Sequence, residues 1–229
     1  MRSDWLRSRR ARLGCVLLAA VALLTVLVMA RRQPLTPYDE GIARSLHGYA
    51  ASHPGVTRVM RVLTDWFWDP WTMRVLAAAA CLWLWRRGEG RCALRVGLVV
   101  LGASAVQMGL KASVGRERPV WPDPVDSAHY SAYPSGHAMT ATVVCGLLLC
   151  LVPRGGPGRF ARFALAAAVA VATVSVLGVG FTRLYLGVHW FSDVLAGWLL
   201  GAGLVLLATA DGACSGRSPV SPRADGPAR

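Results

Sequence analysis

Six apolar stretches govern what this chain can become: residues 14–30, 66–85, 93–110, 138–152, 163–181 and 190–210. A helix rises 1.5 Å per residue, so roughly 20 apolar residues cross the ~30 Å hydrocarbon core of a bilayer; the first and fourth stretches lie near the short limit. Lipid offers no water to backbone N–H and C=O groups, so each run is expected to satisfy its own as a helix. The expected fold is all-α, a polytopic membrane helical bundle with about six transmembrane helices.

Composition agrees. Hydrophobic residues make up 54% of the chain and charged residues 16%, whereas a soluble domain is about a quarter charged. The net charge is +13, from 25 basic and 12 acidic residues. Such a balance suits nucleic acid when the cations share one face. Here the arginines punctuate the apolar runs, as topology signals do, and no nucleic-acid partner is expected.

Those arginines orient the chain. Arg2, Arg7, Arg9, Arg10 and Arg12 precede the first run; Arg86, Arg87 and Arg91 follow the second; Arg154, Arg159 and Arg162 follow the fourth; Arg217, Arg223 and Arg229 lie in the tail. With six spans, all four segments fall on one side, which the positive-inside rule makes cytoplasmic. Residues 31–65, 111–137 and 182–189 then face the other way. The first of these has five Arg, but also Asp39, Glu40 and Asp65. The expected division is a basic cytoplasmic N-terminus (1–13), a six-span domain (14–210) and a Gly-, Ser-, Pro- and Arg-rich tail (211–229), expected to be disordered. The first run could be a secretory signal ending at Val28-Met29-Ala30, but it is long for one and those residues are bulky, so a retained span is expected.

Six cysteines show no CxxC and no spacing to histidine that would suggest zinc; they are read as small packing residues, without a disulfide framework. Trp66, Phe67, Trp68 and Trp71 at one end of the second run, and Trp83 and Trp85 at the other, read as interfacial belts.

Three short segments border the outward side. Lys111 to Pro119 follows the third run, Tyr133 to His137 precedes the fourth, and Thr182 to Asp193 joins the fifth to the sixth. Lys111, Arg118 and Arg183 are three cations at the mouth of a bundle, with Asp193 as the one nearby acid. Charge at membrane depth is costly and is read first as functional. Three cations suit a phosphate, Arg with a bidentate fork and Lys with a point charge. Ser135 can cap the following helix, and Gly136 lets backbone approach an oxyanion at the positive end of the helix dipole. His137 stands in that first turn. His189 and Asp193 are four apart and share a helix face, so Asp193 can accept from Nδ1–H and leave Nε2 as a nucleophile. His47, His53 and His129, with Asp123 and Asp126, read as loop residues outside this set.

The three segments resemble the tripartite signature of the type 2 phosphatidic acid phosphatase (PAP2) superfamily, K-x6-R-P, P-S-G-H and S-R-x5-H-x3-D. Here it reads Lys111-x6-Arg118-Pro119, Pro134 to His137, and Thr182-Arg183-x5-His189-x3-Asp193, with Thr182 where the family usually has Ser. The only lysine in the chain occupies the family's lysine position. The resemblance implies that His189 attacks phosphorus and Asp193 orients it. It implies that His137 protonates the leaving oxygen and later activates water, while Lys111, Arg118, Ser135, Gly136 and Arg183 hold the phosphoryl oxygens. It implies no metal and no cofactor. The function expected is a membrane hydrolase of lipid phosphates or diphosphates: phosphatidic acid, phosphatidylglycerol phosphate or undecaprenyl diphosphate. The alternatives are phosphotransfer from the same phosphohistidine to a lipid or glycan, or a catalytically silent relative that binds or transports lipid. The expected place is the cell membrane, with the site on the extracytoplasmic side.

Overall fold

The computed structural model describes residues 2–30, 35–152 and 158–211. Among them lie α1 (Arg2–Met29), α2 (Leu35–Ser52), α3 (Pro54–Val62), a π-helical turn (Leu63–Phe67), α4 (Pro70–Arg86), α5 (Gly90–Val114), α6 (Gly136–Leu151), α7 (Arg159–Tyr185) and α8 (Phe191–Ala208), and no strand. Helices α1, α4, α5, α6, α7 and α8 overlie the six apolar stretches. Four of them, α1, α5, α7 and α8, are long and apolar enough to cross a membrane by length and composition. The 17 residues of α4 and 16 of α6 rise only ~26 and ~24 Å. The chain is an all-α, multi-pass membrane protein.

The outward faces of the long helices are apolar. Val16, Leu23 and Val26 on α1, Leu98 and Leu101 on α5, and Val171 and Val174 on α7 are all exposed. Only lipid covers faces of that extent without a penalty.

The middle of the bundle is α8, packed on α1 and α6. Small residues make this possible, because close backbone approach supplies the dispersion contacts that hold helices together in lipid. A Cβ on Gly197 would stand 2.7 Å from the Ser135 carbonyl, and one on Gly201 2.8 Å from Thr142 Cβ. These contacts set the N-termini of α6 and α8 side by side. Gln107 of α5 lies against Gly136, and Val28 of α1 packs with Tyr133 and Ala196. One end of the bundle therefore gathers the first turns of α6 and α8 and the last turns of α1, α5 and α7.

Residues 31–65, expected as an extramembrane connection, are helical from Leu35 onward and fold over this same end. Asp39 of α2 is bound to the first turn of α8, and Ala50 packs with Tyr185 and Val188. Helix α1 is continuous from Arg2 through the first apolar run. The tail, expected to be disordered, lies outside the described residues from position 212 on. Cys81 and Cys145 are half-buried free thiols, as a packing role requires, whereas Cys92 is disulfide-bonded, which spacing alone did not signal.

Asp69 caps α4 by accepting from Trp71 N–H at 2.8 Å, with Pro70 in the first turn. Trp66, Phe67 and Trp71 around this cap are exposed, while Trp68 lies against Gly178 of α7.

Candidate active site

Gly115 ends α5 in the left-handed region (φ 60°), donating its N–H to the Lys111 carbonyl at 3.1 Å. The chain turns away there and crosses the gathered end before it re-enters as α6. Lys111, in the last turn of α5, is buried, and its ammonium donates to the Ser131 carbonyl of this crossing segment.

Ser135 occupies the N-cap position of α6, yet its hydroxyl makes no capping bond. It is fully buried and has no hydrogen-bond partner. A buried hydroxyl left without a partner costs of order 1–3 kcal/mol, which makes Ser135 a candidate to receive a ligand oxygen. Gly136 has a packing reason that spacing did not reveal: a Cβ there would stand 2.3 Å from Gln107 Nε2. His137 follows in the first turn and faces the charges of Arg183, His189, Arg118 and Lys111.

His189 lies in the short connection before α8 and is buried. Its Nδ1 is 3.3 Å from Asp193 Oδ2, at the long end of the hydrogen-bond range. Its Nε2 is 3.1 Å from Arg118 Nη1. A guanidinium can only donate, so Nε2 is the unprotonated nitrogen and the proton is on Nδ1, towards Asp193. Burial above all, then the charges of Arg118, Arg183 and Lys111, hold the imidazole well below its ordinary pKa. His189 is therefore neutral at pH 7.

Asp193 accepts twice more, from Trp190 N–H at 2.9 Å and from Arg116 Nη1 at 2.6 Å. Arg118 donates to the carbonyls of Val188, Tyr130 and His129 at 2.6, 2.9 and 3.0 Å. Burial, and next the repulsion of Arg183, push its pKa down to about 10, so it keeps its charge. Arg183 is 3% exposed, has its Nε unpartnered, and lies 3.6 Å from Asp126. Thr182 donates back to the Val179 carbonyl at 2.8 Å.

The eight expected site residues thus converge at one end of the bundle. The sequence reading missed several neighbours. Asp193 is not the only acid: Asp126, expected as a solvated loop acid, pairs with Arg183, and Asp39 is 1% exposed and paired with Arg116. His47, expected on a loop surface, is buried and stacked on Trp121 at 4.1 Å between ring centroids. Of these, only Arg116 lay inside a motif segment, where it could have been noticed. Among the described residues, no group of three or more His, Cys, Asp or Glu gathers as metal ligands would.

The sequence profile of the PAP2 superfamily matches residues 92–213, over half of the chain. The chain belongs to the PAP2 superfamily. The matched region begins in α5 and holds all three segments of the site. Among PAP2-containing relatives, an undecaprenyl-diphosphatase of Sulfolobus acidocaldarius is 38% identical over 86 residues, 38% of this chain and 34% of that protein. Phosphatidylglycerophosphatase B of Bacillus subtilis is 35% identical over 98 residues, 43% of this chain and 47% of that one. The matches therefore span about a third and about half of these relatives' lengths. The crystal structure of a transmembrane PAP2-type phosphatidylglycerolphosphate phosphatase from Bacillus subtilis has the same fold. Its TM-score is 0.68 at 24% identity, over 85% of this chain and 94% of that one.

Proposed function

We propose that this PAP2 chain is a membrane phosphatase that hydrolyses lipid phosphates or lipid diphosphates through a phosphohistidine. The observation that carries this reading is the state of His189: neutral, with Nδ1 on Asp193 and Nε2 directed at Arg118, in a site with an unpartnered serine hydroxyl and two further cations.

The Nε2 lone pair of His189 attacks phosphorus, forming an N–P bond as the bond to the leaving oxygen breaks. His137 gives that oxygen a proton, then takes one from the water whose oxygen attacks the phosphohistidine, and the N–P bond breaks. Lys111, Arg118, Arg183, the Ser135 hydroxyl and the backbone at Gly136 hold the phosphoryl oxygens as charge builds on them. Arg118 lies against Nε2 at 3.1 Å, within reach of a phosphoryl group bonded there. The carbonyls that receive Arg118 lie on two segments, 129–130 and 188, and hold its guanidinium at the site.

The relatives' names favour a polyprenyl diphosphate or phosphatidylglycerol phosphate as substrate, with phosphatidic acid as the third candidate. Phosphate release from a detergent panel of these lipids, in EDTA, tests the reading. Release from at least one is expected, unchanged by EDTA; activity lost in EDTA and restored by Mg²⁺ would contradict a metal-free reaction. Orthovanadate should compete with substrate, because it adopts the trigonal-bipyramidal geometry of the transferring phosphoryl group. Uncompetitive or absent inhibition would count against attack at phosphorus by His189.

We further propose that the site opens to the extracytoplasmic side of the cell membrane, after six crossings. Arg86, Arg87, Arg91, Arg159 and Arg162 lie at the end of the bundle opposite Lys111, His137 and His189, and short arginine-rich loops stay in the cytoplasm. In a cysteine-free background that retains turnover, Ser127→Cys is expected to react with a membrane-impermeant maleimide in intact cells, and Glu89→Cys only after lysis. Both positions are exposed. The reverse pattern would overturn the orientation.

A further inference from the structure

We propose that Asp39 and Arg116 are positioning residues for the reaction: together they form a buried strut that runs from α2 to Asp193 and holds the His189–Asp193 pair in register. This rests on the reading of His189 as the nucleophile oriented by Asp193.

The geometry is closed at every joint. Arg116 uses its two terminal nitrogens on different acids, Nη1 to Asp193 Oδ1 at 2.6 Å and Nη2 to Asp39 Oδ2 at 2.7 Å. Nη1 also donates to Ser192 Oγ at 2.7 Å. Asp39 accepts Ser192 N–H at 2.9 Å on Oδ1 and the Ser192 hydroxyl on Oδ2. The Asp39 and Asp193 side chains are 2% and 0% exposed, and that of Arg116 17%. The Arg116 carbonyl accepts Ala132 N–H at 2.8 Å, and its guanidinium lies 5.5 Å over the Trp190 ring.

Two consequences follow. Asp193 must keep its charge while wholly out of water, which a carboxylate does only when paired and fully hydrogen-bonded. Arg116 supplies the charge and occupies Oδ1, so Oδ2 is left for His189 Nδ1 and Trp190 N–H. A planar guanidinium held at both ends also has no freedom to swing. Asp39 supplies the second end from a residue far away in sequence, and by accepting from the N–H and hydroxyl of Ser192 it braces the residue next to Asp193. Neither residue reaches the phosphoryl position through these contacts, so each acts through Asp193.

The test uses the full chain in detergent with the lipid phosphate it turns over fastest. Arg116→Gln is expected to lower kcat about 100-fold with KM within about threefold, the pattern of lost transition-state positioning. Asp39→Asn, which leaves the Arg116–Asp193 contact available, should cost about tenfold. In an Asp193→Asn background either change should cost less than about threefold more, because its route of action is already gone. If Arg116→Gln does not yield folded protein, the Asp39→Asn cycle carries the same comparison. Losses that simply add in the double variants, losses confined to KM, or single variants within about twofold of wild type would each overturn the strut. His189→Ala is assayed alongside: if it stays active the nucleophile assignment fails, whereas an inactive His189→Ala beside fully active Arg116→Gln and Asp39→Asn removes the strut alone.

Discussion

Replacing His189 with alanine is expected to reduce turnover by about 10⁴-fold or more. The reaction needs an unprotonated nitrogen within reach of phosphorus, and Nε2 of His189 is held in that state by its contacts: its own Nδ1–H faces Asp193, and Arg118 only donates. His137 cannot take over, because it stands on another element, α6, and is assigned the proton on the leaving oxygen. Nor can Ser135, which has no base hydrogen-bonded to its hydroxyl. The loss must be separated from unfolding, since His189 is 1% exposed and its removal opens a cavity. Monodispersity and thermal stability in detergent check this. Activity within about tenfold of wild type would take the nucleophile's role away from His189. The wild-type pH profile gives a second reading. Burial and three cations lower the pKa of His189, so its neutral form persists to lower pH than a free imidazole's. The acidic limb of kcat/KM that belongs to His189 should fall below ~6.5, the ordinary value; a limb above it would assign the limb to another group or reverse the sign of the shift.

Asp193→Asn should come next in size, with kcat down about 10³-fold and KM changed only a few-fold. The amide has nearly the same shape but changes which groups it can pair with. Its NH₂ cannot accept from His189 Nδ1–H, Trp190 N–H or Arg116, all of which donate to the carboxylate now. One way out is the other imidazole tautomer, with the proton on Nε2, and that form does not attack. The three cations proposed to hold the substrate phosphate, Lys111, Arg118 and Arg183, do not pair with Asp193, so binding should survive. A rise in KM with kcat intact would make Asp193 a packing or binding residue instead.

The catalytic pattern was legible because its spacing is local. His189 and Asp193 are four residues apart, Lys111 and Arg118 share one segment, and Ser135 to His137 are consecutive. Each segment abuts an apolar run, which ties it to a membrane face. Residues 35–67 were not legible in the same way. Their mixed polarity reads as an extramembrane connection, and where they pack is decided by the bundle's end and not by their local spacing. Asp39 looked like one acid among several in a basic segment. Its partners are Arg116 and Ser192, and no spacing rule links positions so far apart. Asp126 was misjudged for the same reason, since a carboxylate in a loop declares nothing about a cation on α7.

The sequence by itself determined the solvent and the helical class, and it singled out the candidate residues for phosphate chemistry, because all of these follow from composition, run length and short-range spacing. Tertiary structure alone decided which acids are buried and what holds them. It decided that Gly136 makes room for Gln107, that the Ser135 hydroxyl is left without a partner, and that Arg118 rests on Nε2 of His189. Burial and pairing depend on which helix ends meet, and that is settled by close contacts such as those that Gly197 and Gly201 of α8 make with α6, which act across the bundle rather than along the chain.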